Sequence, residues 1–265
     1  MSIPEQKVSE LSRDIEVLPQ KEPLMFFDID GTLAEGLTIV SFAEYLENQR
    51  IFGYSCWRQM QADLFFYQMS DKGKEAYRKF AVALVRHYAL GLRGQTVGEV
   101  EIQAESFFSQ AQKGKVRGYR ILDYAQELVR LVKRMGRTIA ISGSPVEPLL
   151  PLKRFLSLDE LRATRVEVAD GHFTGKVVNN LAVDVAKRQV VGEYLRGGVA
   201  VSRSFAFGDS LHDVPILEAV GNPFVLGSNK GLQELGKSRG WFVISDGSEI
   251  IKAVKNQMSL LFDKE

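Results

Sequence analysis

The clearest pattern in the sequence is the alternation of short apolar runs with amphipathic segments. Apolar runs of strand length occupy residues 24–27, 138–141, 204–207, 223–226 and 241–244. The second, third and fourth runs each follow a segment with apolar residues at three- and four-residue spacing, which is typical of an amphipathic helix. This alternation predicts an α/β fold, a doubly wound, Rossmann-like parallel sheet with helices on both faces.

One long segment interrupts this alternation. Over residues 38–112, apolar and aromatic residues recur at helical spacing and are broken only at glycines. We interpret this segment as an α-helical domain inserted into the sheet domain, which then comprises residues 24–37 and 113–265. The aromatic residues expected to form the core of the inserted domain are Trp57, Phe65, Phe66, Tyr67 and Phe80.

Two local patterns indicate turns in the second half of the chain. Asp170-Gly171 stands between two short segments of alternating apolar and polar residues, and an Asp-Gly pair favours a tight β-hairpin. After the second apolar run, Ser144 and Pro145 are the residue types preferred at a helix N-cap and at the first helical position. We therefore predict a hairpin at Asp170 and a helix that begins at Pro145.

Composition and charge exclude several classes of protein. The 265 residues include 34 basic and 33 acidic side chains, so a formal charge of +1 provides no field for nucleic acid or an anionic membrane surface. No apolar run approaches the ~20 residues of a membrane span. The single cysteine, Cys56, rules out an internal disulfide. Residues 1–23 lack the features of a signal peptide, so we expect a polar N-terminal extension on a cytoplasmic protein of open oligomeric state.

Polar residues follow three of the apolar runs. Asp28 and Asp30 follow the first run, Ser142 follows the second, and Asp209 and Asp213 follow the third. Because parallel strands end at a common edge, where ligands bind in such folds, we expect these side chains to converge. Four neighbouring carboxylates require a counter-charge, and oxygen-only ligands favour Mg²⁺.

The same edge has the residue types that hold a phosphate. Ser142 and Gly143 precede a predicted helix and supply a hydroxyl and free backbone N–H groups, while Lys187 supplies a positive charge. An ionised Asp28 could then attack phosphorus. Asp30 is suited to act as the acid and base, because neighbouring negative charges raise the pKa of a carboxyl group.

These motifs, in this order, resemble the four motifs of the haloacid dehalogenase superfamily. The matching residues are Asp28-Ile29-Asp30-Gly31-Thr32, Ser142, Lys187, and Gly208-Asp209-Ser210-Leu211-His212-Asp213. The resemblance extends from Leu24 to about Ile244. It is closest to the phosphoserine phosphatase-like branch, because the helical insertion directly follows the first motif and the Asp-Gly hairpin is similar to that of this branch.

The resemblance implies a role for each motif residue. It makes Asp28 the nucleophile and Asp30 the general acid/base of a phosphatase that forms an aspartyl phosphate. It implies Mg²⁺ bound by the Asp28 carboxylate, the Asp30 backbone carbonyl and Asp209, with Asp213 holding Lys187 or supporting the metal. The residues that it assigns to the phosphate are Thr32, Ser142, Gly143 and Lys187. The implied partner is a small phosphorylated metabolite, with neither nucleic acid nor membrane.

One departure from the family pattern concerns the substrate. Phosphoserine phosphatases have a glutamate nine residues after the nucleophile that faces the ammonium group of the substrate, and Leu37 occupies that position here. Glu35 is offset by two residues and does not replace it. In the helical lid, we expect Leu37 or Phe42 to contact an apolar substrate, and Arg86 or Arg93 to contact an anionic one.

The residues leave several alternatives open. Phosphotransfer to an alcohol uses the same machinery as hydrolysis. A phospho-acceptor receiver module also has acids, Ser or Thr and Lys on a parallel sheet, but it lacks both the helical insertion and an acid two positions after the acceptor. Among substrates, a phosphorylated amino alcohol, a sugar phosphate or a lipid head group all fit. The three histidines, His87, His172 and His212, are not expected to take part in the chemistry.

Overall fold

The computed structural model describes residues 21–71, 73–196 and 198–262. The predicted N-terminal extension, residues 1–23, therefore lies outside the described residues except for its last three.

A seven-stranded sheet forms the centre of the molecule. In chain order the strands are β1 Leu24–Phe27, β2 Ala34–Glu35, β3 Arg120–Ile121, β4 Arg137–Pro145, β5 Glu160–Ala169, β6 His172–Asn179, β7 Phe205–Gly208, β8 Asn222–Leu226 and β9 Phe242–Ile244. The spatial order of the sheet is β6-β5-β4-β1-β7-β8-β9, and all neighbours are parallel except β5 and β6. The small β2 and β3 pair separately in an antiparallel ribbon that the sequence patterns did not indicate.

Helices account for most of the remaining chain. They are α1 Thr38–Asn48, α2 Tyr54–Met69, α3 Lys74–Gly91, α4 Val97–Gln112, α5 Ala125–Val132, α6 Val146–Leu156, α7 Asp184–Leu195, α8 Val214–Leu217, α9 Lys230–Ser238 and α10 Ile250–Phe262. Within the described residues, none of these helices combines the length and the apolarity that crossing a membrane would need.

The central strand β1 shows that helices cover both faces of the sheet. Its side chains point alternately to the two faces, and all four are buried. Leu24 and Phe26 pack in one apolar cluster, with residues of α7, α8 and α9, while Met25 and Phe27 belong to the larger cluster on the other face. The predicted doubly wound α/β fold is thereby confirmed.

The larger cluster contains a row of stacked aromatic rings that crosses four strands. The ring of Phe27 on β1 stacks on Phe207 of β7, with centroids 4.9 Å apart. Phe207 stacks on Phe224 of β8 at 5.3 Å, and Phe224 stacks on Phe242 of β9 at 4.6 Å. Because these side chains lie on one face of adjacent parallel strands, they lock the register of the strands whose ends carry the polar motifs.

Between β2 and β3, residues 38–112 form the four helices α1 to α4, which we call the helical segment. Its treatment as a separate domain remains a prediction. Trp57 and Phe80 are buried as predicted, but Phe65 and Phe66 are 57% and 69% exposed, so their assignment to the core was wrong. Helix α2 packs against α3 and α1, but these two adjacent side chains are largely left out of those contacts.

The two turn predictions have different outcomes. The hairpin is present between β5 and β6, with Asp170 and Gly171 at φ of 49° and 76°, the left-handed values of a type I′ turn. The predicted helix start was wrong by one residue, because β4 continues to Pro145 and α6 begins at Val146. Ser144 does not cap the helix, and its hydroxyl donates a hydrogen bond to Asp30 instead.

Candidate active site

A cavity of about 310 Å³ lies at the carboxyl ends of β1, β4 and β7. The register aligns these ends, since Phe27 of β1 pairs with Ala140 of β4 and with Phe207 of β7. Asp28, Ser142 and Asp209, which come one or two positions after these pairing residues, therefore reach the same edge. The residues of the sheet side that line the cavity include Asp28, Asp30, Ser142, Gly143, Lys187 and Asp209.

A buried lysine joins two of the carboxylates. Lys187 is the fourth residue of α7. Its Nζ atom lies 2.6 Å from Oδ1 of Asp28 and 2.7 Å from Oδ1 of Asp213. All three side chains are almost completely buried. Burial opposes a positive charge on Lys187, but Asp213 and Asp28 outweigh burial and raise the pKa of the ammonium group above its ordinary value.

Asp213 also organises the loop that follows β7. Its Oδ2 atom accepts hydrogen bonds from the backbone N–H of Asp209 at 3.1 Å and from the N–H and hydroxyl of Ser210, both at 2.9 Å. Burial opposes ionisation of Asp213, but Lys187 and the Ser210 donors hold the pKa of this carboxyl group below its usual value. Asp213 is therefore a fixed anion that positions Lys187 and the Asp209 backbone.

Two carboxyl groups at this edge, those of Asp28 and Asp209, have raised pKa values. Burial, with the nearby Asp213 charge, raises the pKa of Asp28 well above its ordinary value, although Lys187 opposes the shift. The same two causes raise the pKa of Asp209 to about 8. Both groups would ionise more readily beside an additional positive charge.

The donor set at this edge fits a magnesium ion. Carboxylate oxygens of Asp28, Asp209 and Asp213 all lie within 4.8 Å of one another. Among the described residues that line the cavity, Lys187 is the only one with a cationic side chain, and it already binds two of these acids. An all-oxygen set with excess negative charge is the kind that Mg²⁺ prefers.

Asp30 is held away from this ion-pair cluster by two hydroxyl groups. Its Oδ1 atom accepts hydrogen bonds from the hydroxyl of Thr38 and from the Thr38 backbone N–H, the latter at 3.1 Å. Its Oδ2 atom accepts a hydrogen bond from the Ser144 hydroxyl. Burial raises the pKa of Asp30, and the donors on Ser144 and Thr38 oppose but do not cancel that shift. Asp30 thus links the sheet edge to the first residue of α1.

The turn after Asp30 brings the first motif against Asp209. Gly31 has a φ of 91°, a conformation that favours glycine, and a Cβ atom there would collide with the Asp209 carboxylate. The Thr32 hydroxyl lies 3.4 Å from Oδ1 of Asp209, and the side chain of Thr32 is fully buried. Thr32, predicted to bind phosphate, is not among the residues that line the cavity and contacts Asp209 instead.

Gly143 is packed tightly beneath the cavity. Its carbonyl oxygen accepts a hydrogen bond of 2.7 Å from the Thr164 hydroxyl, which in turn accepts one from the backbone N–H of Leu181. A Cβ atom on Gly143 would lie only 2.7 Å from Cα of Ala182. The absence of a side chain therefore lets the Ser142-Gly143 segment approach the chain that leads into α7.

The helical segment forms the opposite wall of the cavity. Its larger side chains here are Ile39, Tyr67, Tyr77, Phe80, Leu84 and Val85. The ring of Tyr77 on α3 stacks on the ring of His212 in the loop after β7, with centroids 3.5 Å apart. Burial raises the pKa of Tyr77 above its ordinary value, so its hydroxyl is neutral. This ring contact joins the two walls.

Four residues were predicted to contact the substrate from the helical lid, and of these Leu37 alone lines the cavity. Leu37 lines the cavity and is 39% exposed. Phe42 is fully buried, with its ring 5.2 Å from that of Phe107, and does not line the cavity. Arg86 and Arg93 are both exposed and lie outside the lining. The predicted contacts of Phe42, Arg86 and Arg93 with a substrate therefore lack support in this geometry.

Four residues of the site were missed or undervalued by sequence reasoning. Ser144 could have been found, because it stands two positions after Ser142 on an extended strand and so shares its face. Thr38 and Tyr77 had no such local signal, since each reaches the site only through packing of the helical segment on the sheet. His212 lies within the fourth motif, but its ring contact with Tyr77 depends on the same packing. Of the other histidines, His87 binds Asp63 at 2.6 Å and His172 binds a backbone carbonyl in its own hairpin.

The chain belongs to the haloacid dehalogenase-like hydrolase family, which it matches over residues 25–218. This match confirms the predicted resemblance and identifies the protein as an enzyme of the hydrolase class.

Individual relatives agree with this assignment. The chain is 30% identical over 220 residues to the phosphoserine phosphatase SerB1 of Mycobacterium tuberculosis (strain H37Rv), covering 82% of this chain and 68% of the relative. It is 28% identical over 234 residues to a probable phosphatase of the same organism, covering 86% and 76%. Its fold is similar to a solved phospho-aspartyl intermediate analogue of phosphoserine phosphatase, with a TM-score of 0.61, 20% identity, and coverage of 88% and 99%.

Proposed function

We propose that this protein is a magnesium-dependent phosphatase that hydrolyses a small phosphorylated metabolite through an aspartyl-phosphate intermediate. The observation that carries the proposal is the buried contact of 2.6 Å between Lys187 and Asp28 at the end of β1, inside a cavity shared with Ser142 and Asp209. The names of the relatives, which include phosphatases, support the same reaction class.

The reaction would proceed in two displacement steps. In the first, an oxygen of the Asp28 carboxylate attacks phosphorus, and the bond between phosphorus and the leaving oxygen breaks while Asp30 donates a proton to that oxygen. In the second, water attacks the phosphorus of the aspartyl phosphate, the bond between phosphorus and the Asp28 oxygen breaks, and Asp30 takes a proton from the water. The products are the alcohol and inorganic phosphate, and Asp28 is regenerated.

The remaining residues would bind and orient the phosphoryl group. Lys187 and Ser142 would offer an ammonium group and a hydroxyl to its oxygens, and Gly143 lines the same cavity. The raised pKa of Asp30, which burial causes, suits a group that must hold a proton before it donates one. Asp28 and Asp209 would hold Mg²⁺, which supplies positive charge that lowers the repulsion between the nucleophile and the phosphate.

The direct test measures inorganic phosphate released from phenyl phosphate by the full-length chain with Mg²⁺. We expect Asp28→Asn to lower kcat by at least about 10³-fold, because the amide cannot attack phosphorus. Excess EDTA should abolish turnover, and added Mg²⁺ should restore it. Asp170→Asn, the same substitution at the exposed hairpin turn, serves as the matched control and should keep full activity. Full activity of Asp28→Asn, or of the wild type in EDTA, would refute the proposal.

Product analysis separates hydrolysis from phosphoryl transfer. With an acceptor alcohol such as glycerol added at high concentration, we expect inorganic phosphate as the main product and little glycerol phosphate. The reverse ratio would assign phosphotransferase activity to the same residues. A cytoplasmic location stays a prediction of the sequence.

A further inference from the structure

The two walls of the cavity differ in chemical character. Every formally charged group among the described residues that line it comes from the sheet side, namely Asp28, Asp30, Lys187 and Asp209. The side chains that the helical segment contributes are aliphatic or aromatic, and their polar atoms are the hydroxyls of Tyr67 and Tyr77. Burial raises the pKa of both tyrosines, so these hydroxyls are neutral.

Three of the four charged groups of the sheet side already have polar partners, and the fourth, Asp209, is assigned to Mg²⁺ in the proposed function. Lys187 is bound by Asp28 and Asp213, and both oxygens of Asp30 accept hydrogen bonds from Thr38 and Ser144. A substrate whose phosphate binds at this edge must direct its other end towards the helical wall. An ammonium or carboxylate group on that end would lose its water there without gaining a partner of opposite charge.

Glu35, the nearest acidic residue before α1, does not contribute a negative charge to the lining of the cavity. Glu35 of β2 is exposed, forms an ion pair with Arg120 of β3, and is not among the residues that line the cavity. Leu37, two residues further along, does line it and presents an isobutyl group. The entrance to the helical segment is therefore apolar on the cavity side.

We propose that the substrate is a phosphomonoester with an uncharged, apolar alcohol as its leaving group, and that Leu37, Phe80 and Leu84 select it. The proposal rests on the proposed phosphatase function and specifies its substrate class. The cavity volume of about 310 Å³ is at the lower end of the range for small-molecule sites, about 300–1,000 Å³. It suits a short alkyl or a single aromatic group rather than a nucleoside.

The first test compares two esters that differ only in charge. n-Propyl phosphate and O-phosphoethanolamine have the same shape, with a methyl group in one where the other has an ammonium group. We expect kcat/KM of the wild-type enzyme with Mg²⁺ to be at least about 10-fold higher for n-propyl phosphate. Lengthening the chain from propyl to pentyl should raise kcat/KM by about 4-fold per methylene, as expected for burial of each CH₂ group.

A second test introduces a charge into the helical wall. Leu84→Lys places an ammonium group in the cavity and should lower kcat/KM for n-pentyl phosphate by at least about 10-fold, while favouring O-phosphoserine, which has a carboxylate. Val82→Lys is the matched control, because Val82 lies on the same helix and is 48% exposed. Leu37→Lys repeats the test at a site that is 39% exposed and so tolerates the new side chain more easily.

The outcomes distinguish this inference from the proposed function. If phenyl phosphate is hydrolysed but O-phosphoethanolamine or O-phosphoserine is turned over as well as n-propyl phosphate, the substrate class is wrong and the phosphatase function stands. If none of these esters is hydrolysed, the phosphatase function fails and the inference fails with it. Equal loss of n-pentyl phosphate turnover in Val82→Lys and Leu84→Lys would also overturn the role of the helical wall.

Discussion

The two walls of the cavity are built in opposite ways. On the sheet side, each charged group has partners at hydrogen-bond distance, as in the contacts of Lys187 with Asp28 and Asp213. On the helical side, the wall of the cavity consists mainly of side chains that make van der Waals contacts. Its connections to the sheet side include the ring stack of Tyr77 on His212 and the hydrogen bonds of Thr38 to Asp30. The first arrangement fixes the positions of reacting atoms, whereas the second provides shape and excludes water.

In the proposed reaction, the sheet side performs the chemistry and the helical side selects the substrate. Removing one member of these buried ion pairs would leave a buried charge without its partner, so this wall tolerates few substitutions. An apolar wall accepts side chains of similar volume at smaller cost. We therefore expect the helical wall to tolerate more substitutions than the sheet side, and the following experiments test how far the two walls are independent.

The largest effect is expected where the ion pairs of the sheet side are broken. Lys187→Met leaves Asp28 and Asp213 buried without their cation, and we expect the free energy of unfolding to fall by about 3–5 kcal/mol in EDTA. Mg²⁺ should recover part of this loss, because it supplies positive charge to the same acids. kcat/KM for phenyl phosphate should fall by about 10²–10³-fold even with Mg²⁺.

Urea unfolding of Lys187→Met and the wild type in EDTA and in Mg²⁺ measures the loss of unfolding free energy and its recovery by the ion. Lys176→Met is the control, since Lys176 forms an exposed ion pair with Glu167, and it should change the free energy of unfolding by less than about 0.5 kcal/mol. If Lys187→Met unfolds like the wild type in EDTA, the buried ion pairs do not stabilise the sheet edge.

A change in unfolding free energy of intermediate size is expected where the helical segment packs on α6 of the sheet domain. Glu147 of α6 is buried and accepts a hydrogen bond of 3.3 Å from the hydroxyl of Tyr88 on α3, and burial raises its pKa to about 7. The folded state therefore holds this proton more tightly than the unfolded chain does. Its contribution to stability is complete below about pH 4.5 and is lost as the pH rises through 7.

Glu147→Gln removes this titration. The unfolding free energy of the variant relative to the wild type should increase by about 2–3 kcal/mol between pH 4.5 and pH 8.5, in proportion to the pKa shift. Urea unfolding at the two pH values measures the change, and the exposed Glu101→Gln on α4 should show none. An equal difference at both pH values would mean that folding does not raise the pKa of Glu147.

The smallest effect is expected on the outer side of the helical segment. Arg86 is exposed on α3 and lies outside the cavity lining, so Arg86→Ala should change kcat/KM for phenyl phosphate by less than about 2-fold. The same holds for Arg93→Ala. A loss greater than about 10-fold in either variant would place that arginine in the substrate-binding wall and would contradict the apolar character of the helical side.

Much of the fold could be predicted from the sequence because buried strands and amphipathic helices have different hydrophobic periods. The strands that carry Asp28, Ser142 and Asp209 are short apolar runs ended by polar residues, a strong local signal. The β2–β3 ribbon had no such signal, since it is two residues long in each strand and pairs residues far apart in the chain. Phe65 and Phe66 were placed in the core because composition alone does not show which side of α2 meets another helix.

The residues of the candidate site also fall into two groups, those that the sequence indicates and those that depend on packing. Asp28, Asp30, Ser142 and Asp209 could be singled out from their order and from the strand ends that precede them. Lys187 could be singled out from its place on the helix before the third of these strands. Thr38 and Tyr77 could not, because a contact across the fold depends on how the helical segment packs on the sheet. The positions of Arg86 and Arg93 were equally undetermined, since the side of a helix that faces a cavity depends on its neighbours.

The sequence by itself determined the fold class, the family resemblance and the set of charged residues at the sheet edge, because these follow from hydrophobic period and from the order of motifs along one chain. Only the tertiary structure decided what faces those charges. Tyr77, Phe80 and Leu84 reach the cavity from α3, and Phe42 is excluded from it, because the packing of the helices rotates each side chain towards or away from the site. That orientation has no local signature, since it results from contacts between segments distant in the chain.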